Sequence, residues 1–154
     1  MASLDFLSAS NPGTFTVSCV KATSLPRLRE WLAAQKFGCA CLDAIAISDK
    51  ASLLGSLGDA LKAEVPEGSG WNHWDAAADL AWQSLVGQRR SHFALLILNA
   101  DAFVRNHFPL LLQALELLIQ VGAQTERHKP HPVRLRVVLV GEGSQFPELQ
   151  DNPQ

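Results

Sequence analysis

Tyrosine is absent from this chain, methionine occurs once, and cysteine appears only three times in 154 residues. Three is an odd number and supplies no disulfide framework. Cys39 and Cys41 alternate along a strand-like stretch and so face one side, which reads as buried or half-buried thiols in a reducing compartment. A zinc site would need further ligands, and His128 and His131 fall in a distant loop, so no metal is expected. Long apolar runs are missing too. A membrane span takes about 20 residues, whereas Phe93–Leu98 and Leu110–Val121 have the lengths of a buried strand and an ordinary helix. The opening MASLDFLSASNPGTF has neither a basic leader nor a continuous apolar core, so no signal peptide is expected and the expected location is cytoplasmic.

No one sign of charge dominates. Thirteen Lys and Arg stand against 15 Asp and Glu, a formal net charge of −2, and Arg89, Arg90, Arg134 and Arg136 are too few and too scattered for a basic stripe. Neither nucleic acid nor a membrane surface is therefore an expected partner. No G-x-x-x-x-G-K or G-x-G-x-x-G loop is present to hold a phosphate. His73, His92, His107, His128 and His131 are dispersed, and no Ser/His/Asp or Cys/His set can be argued from them. No cofactor and no enzymatic activity are expected.

What is present is core: 47% of the residues are hydrophobic, enough for one packed domain. Thr14–Val20 alternates as a half-buried strand. Ser24 is placed to cap a helix bearing Leu25, Leu28 and Leu32, with Gly38 just past its end. Cys39–Ile47 reads as a short strand. Ser48 is placed to cap a helix with Leu53, Leu54, Leu57 and Leu61 on one face, and Gly55 and Gly58 inside it predict close packing. Phe93–Leu98 is a continuous apolar run, the pattern of a strand covered on both faces. One long helix is predicted over Arg105–Val121, a polar loop over Gly122–Pro132, and a last strand over Val133–Val140. Strands separated by helices predict an α/β fold, a small parallel sheet of about three strands packed with helices. Residues 1–37 read as an N-terminal extension with an added strand and helix, 38–140 as the main domain, and 141–154 as a disordered tail.

The stretch Gly68–Trp82, GSGWNHWDAAADLAW, carries the functional signal. Asp75 and Asp79 lie one helical turn apart, where like charges repel by roughly 0.2–0.5 kcal/mol. With Asn72 as N-cap, Asp75 falls at N3, where a carboxylate favours the helix dipole. Asp79 lies beyond that benefit. Trp71 and Trp74 either close the core at the helix entry or serve an interface, and Trp82 reads as core. An acid/base role for the two aspartates would need a substrate cleft that nothing in the sequence supplies.

Gly70, Asn72, Asp75, Ala76 and Asp79 stand after a capped helix ("ISDKASLLGSL") and before an apolar strand, a long helix and a final strand. In this order they resemble the barstar family of intracellular ribonuclease inhibitors over roughly residues 39–140. The resemblance implies a barstar-like fold and a stoichiometric inhibitor of a ribonuclease or related toxin protein, an immunity or antitoxin role. It implies that Asp75 and Asp79 occupy a cationic active site, with Gly70, Trp71, Asn72 and Trp74 at its margin and Glu116 adding a further acid. One residue more than usual separates Gly70 from Asp75, Ala78 stands where tryptophan is common, and the preceding loop has no tyrosine. These departures leave open a barstar-like interaction domain with a different toxin or regulatory partner. A monomer is expected.

Overall fold

The structure is a computed structural model and describes residues 16–61 and 73–149. Four parallel strands form one sheet: β1 (Thr16–Lys21), β2 (Gly38–Asp43), β3 (His92–Leu98) and β4 (Arg134–Gly141), in the order β1-β4-β3-β2. The α/β class holds, with a fourth strand beyond the three expected. β1 is that strand, and its six residues pair with the last six of the eight in β4, from Thr16 opposite Arg136 to Lys21 opposite Gly141.

Five helices connect them: α1 (Leu25–Ala34), α2 (Lys50–Leu61), α3 (Trp74–Gly87), α4 (Ala100–Asn106) and α5 (Phe108–Glu126). One face of the sheet carries α2 to α5 over Leu42, Phe93, Leu95, Leu135 and Val137. The other carries α1, whose Leu28 and Leu32 pack with Ala94, Leu96, Val138 and Val140. Topology explains the division. The chain crosses from β1 at one edge to β2 at the other, then steps back through β3 to β4. Crossovers of one hand put helices on opposite faces when the direction of travel reverses. β3 and β4 are central and buried on both sides, which is why Phe93–Leu98 and Val137–Val140 are continuously apolar, although β4 also carries Arg134 and the buried Arg136.

Several local expectations are corrected. The single helix expected from Arg105 is two, broken at His107, and the second begins with Phe108-Pro109, where proline is tolerated because the first-turn N–H has no helical partner. α5 also runs through to Glu126. Its end is held by Thr125, whose Oγ1 donates to Val133 O at 2.9 Å while Val133 N donates to Thr125 O at 2.9 Å. α2 is capped by Asp49 rather than Ser48: Asp49 Oδ1 accepts from Ser52 N at 2.8 Å and Ser52 Oγ accepts from Asp49 N at 3.0 Å, a reciprocal capping box. Ser24 makes no side-chain cap and instead accepts from Leu149 N at 3.1 Å. After α1 the left-handed residue is Lys36, φ 61°, not Gly38. Gly38 serves close approach, since a Cβ there would stand 2.5 Å from Phe93 Cδ2. Among the described residues nothing packs over Gly55, while Gly58 is buried. Cys39 and Cys41 do share a side, but it is the exposed side of an edge strand.

The expected tail is also corrected as far as Leu149. Phe146 enters the apolar layer under α2 to α5 and Leu149 the layer under α1, both buried. Lys21 N donates to Pro147 O at 2.9 Å. This segment thus passes by the C-terminal end of β1 and contributes to the apolar layers on both faces of the sheet.

Candidate functional site

α3 begins at Trp74 and runs for 14 residues without a lysine or arginine. Ala77, Ala81 and Leu85, four apart, form its buried line. The two alanines keep that line thin, so α3 lies close against α5, and Ser84 Oγ ties it to the end of α2 by donating to Leu61 O. The N-cap is His73, extended at φ −129° and ψ 146°, with its carbonyl accepting from Ala77 N at 2.9 Å. Asp75 therefore sits at N2, one place earlier than the expected cap at Asn72 would give. The dipole argument for Asp75 is unchanged, because N2 is still in the first turn.

Trp74 and Asp75 meet Gln113, Glu116, Leu117 and Gln120 of α5 across an open groove of about 240 Å³. Three residues singled out in the sequence, Trp74, Asp75 and Glu116, are thereby brought together from two helices. Trp74 is half-buried and packs against the core with part of its side chain, leaving the rest at the groove wall. Lys50, at the start of α2, holds its Nζ 5.7 Å from the centre of the Trp74 ring, within reach of a cation–π attraction. Asp79 does not line the groove; it is exposed one turn further along α3. Gly70, Trp71 and Asn72 lie outside the described residues. Trp82 is half-buried and sets its ring edge-on to His128 at 5.4 Å, so it belongs to the structural side of the helix.

The electrostatics are one-sided. α5, like α3, contains no lysine or arginine in its 19 residues. Among the described residues Asp75, Asp79 and Glu116 form no ion pair. Asp75 and Glu116 thus share the groove, with Asp79 exposed a turn further along α3 and Lys50 held against the Trp74 indole. Such a face can accept hydrogen bonds from guanidinium or ammonium groups, the strong charge-assisted kind.

Sequence reasoning missed Gln113, Gln120 and Lys50. The glutamines carried a signal: with Glu116 they are spaced three and four apart, a polar line on a helix that is otherwise apolar. Lys50 carried none, because its place over Trp74 depends on how α2 and α3 start side by side. Also unanticipated is an apolar line on the outer surface of α5, where Phe108, Leu112 and Ile119 are 48%, 51% and 47% exposed. No helix among the described residues is long and apolar enough to cross a membrane. Scanning the chain against protein-family models gives no match, and a search of curated proteins finds none similar to it.

Proposed function

We propose that this chain is a stoichiometric protein inhibitor of the barstar kind, acting in the cytoplasm and blocking a ribonuclease or related toxin with the acids of α3 and α5. The observation that carries the reading is the groove in which Trp74 and Asp75 face Glu116. Ribonuclease active sites hold phosphates with Arg and Lys, and an acidic face whose carboxylates form no ion pair among the described residues is complementary to such a site.

Titration of a barnase-type ribonuclease, followed by RNA cleavage, tests the proposal. Inhibition is expected to be complete at one-to-one ratio and to slow in onset as ionic strength rises. Asp75→Ala and Glu116→Gln are each expected to weaken it by about 2 kcal/mol or more, roughly 30-fold, the cost of leaving a partner's buried charge unpaired. Retention of full inhibition by the double variant would refute the assigned face.

A second reading, an interaction domain with a different toxin or regulatory partner, is favoured by the exposed Phe108, Leu112 and Ile119 beside the groove. It predicts an association that is insensitive to salt and lost on Leu112→Ser.

A further inference from the structure

Cys39 and Cys41 lie on the opposite side of the sheet from the groove. β2 is the strand at one edge, and its burial alternates, so that Gly38, Ala40 and Leu42 are covered while Cys39, Cys41 and Asp43 project the other way. On that side Leu28 and Leu32 of α1 cover β3 and β4, and both thiols are left exposed at the edge. From α1, Arg29 Nη2 reaches Cys41 Sγ at 3.4 Å.

We propose that Cys39 and Cys41 form a two-sulfur site for copper(I), with Arg29 as its counter-charge. Strand geometry disfavours a disulfide. Alternate residues of a parallel strand are about 6.6 Å apart, twice a rise of about 3.3 Å. A disulfide, with sulfurs about 2.05 Å apart, is commonest with Cα atoms at about 5.5–6 Å and reaches its usual upper limit at about 6.8 Å. Closing it would strain β2 in its ladder with β3, in which Cys39 stands opposite Ala94 and Cys41 opposite Leu96. An ion held between two thiolates separates the sulfurs by two metal–sulfur bonds, about 4.6 Å at roughly 2.3 Å each. Side-chain rotation alone meets that separation, and the backbone keeps its register.

The donor set selects the ion. Thiolates are soft ligands and favour copper(I). Among the described residues no three His, Cys, Asp or Glu converge as a metal site, so a four-coordinate zinc set is not assembled here. The carboxylate on the same side, Asp43, is a hard ligand and already accepts from Asn99 Nδ2 at 2.8 Å and from Ile45 N at 3.0 Å. On binding, two S–H protons leave to solvent and two S–Cu bonds form, with no change of oxidation state. The neutral dithiol becomes a complex of charge −1, which the guanidinium of Arg29 offsets.

The test titrates the full chain anaerobically with copper(I) in competition with a chromogenic copper(I) chelator. One ion per chain is expected, unchanged in Cys19→Ser, lost in Cys39→Ser and in Cys41→Ser, and about 10-fold weaker in Arg29→Gln, as for loss of a supporting outer group. X-ray absorption is expected to show two sulfur ligands. Circular dichroism confirms that each serine variant is folded, and the exposure of both side chains makes that the expected result. No binding by the unmodified chain, one-to-one binding kept by either single serine variant, or loss in Cys19→Ser would overturn the site. So would ready formation of a Cys39–Cys41 disulfide under mild oxidation with the fold intact.

Discussion

Asp79 offers a direct measure of whether α3 is shaped for stability or for a partner. It is exposed on α3, one turn beyond Asp75, and pairs with no cation among the described residues. Two terms bear on its replacement. Removing its charge relieves an i, i+4 repulsion of roughly 0.2–0.5 kcal/mol. Replacing aspartate by alanine in a helix interior adds up to about 0.7 kcal/mol of propensity. Asp79→Asn carries only the first term, because asparagine and aspartate have similar propensity, and is expected to stabilise by roughly 0.2–0.5 kcal/mol. Asp79→Ala carries both, for a gain of about 0.5–1 kcal/mol. In a chain of this length about 2–4 °C of Tm accompanies each kcal/mol, so Asp79→Ala should melt about 1–4 °C higher. Thermal unfolding by circular dichroism at low and high salt is the assay, and the Asp79→Asn gain should shrink as salt screens it. A Tm below that of the unmodified chain for both variants would refute the reasoning, because the carboxylate would then be making a stabilising contact. A residue whose removal stabilises the fold is one the fold does not need, and that is the mark of a position kept for something else.

Two further outcomes follow from packing and from protonation. Phe146→Ala removes a side chain only 5% exposed from the layer under α2 to α5, and a urea titration should show a loss of about 3–5 kcal/mol; a loss under 1 kcal/mol would mean that the segment after β4 is not part of the core. His92 has its pKa lowered, first by burial and then by the charges of Arg136 and Arg134, and its Nε2 has no hydrogen-bond partner among the described residues. A lowered folded value means that the unfolded chain binds more protons, so stability is greatest above the ordinary histidine value of 6.5 and falls as pH drops from there through the folded value. In His92→Gln, urea midpoints measured from pH 7.5 to 5 should decline less steeply than in the unmodified chain, and an equal slope would contradict the burial argument.

The elements were legible wherever one local rule decided them. Phe93–Leu98 was legible as a buried strand because it is a short, uninterrupted apolar run, whereas the buried line of α3, Ala77, Ala81 and Leu85, was not read, and Trp82, read as core, is half-buried. What depended on distant partners was not legible. Nothing in TVSCVK says that it will lie beside β4, some 120 residues away in sequence, so the sheet was counted short by one strand. The break at His107 was hidden because Pro109 suits the first turn of a helix as well as it interrupts one. Alternation did place Cys39 and Cys41 on one side, but whether that side is covered depends on α1, which packs over β3 and β4 and stops short of the edge. Asp75 was visible as an oddity within its own helix. Its proximity to Glu116 followed in sequence terms only from the barstar resemblance, since no local pattern joins residues 41 positions apart.

The size of the groove bears on the kind of partner. Clefts that hold small ligands commonly enclose about 300–1,000 Å³, and the space between Trp74, Asp75 and Glu116 is about 240 Å³ and open to solvent. That is the scale of a side chain or two, which on the proposed reading a partner would supply, since protein interfaces concentrate their energy in a few such anchors, often arginine, set beside an aromatic wall. Trp74 supplies that wall, and Asp75 and Glu116 supply acceptors from the two helices. Lys50 bears on the same point: its Nζ stands 5.7 Å from the centre of the Trp74 ring, so one positive charge already faces that indole. On the proposed reading a partner's arginine would compete with it for the indole, and Lys50→Ala would then be expected to strengthen the partner's hold on Trp74.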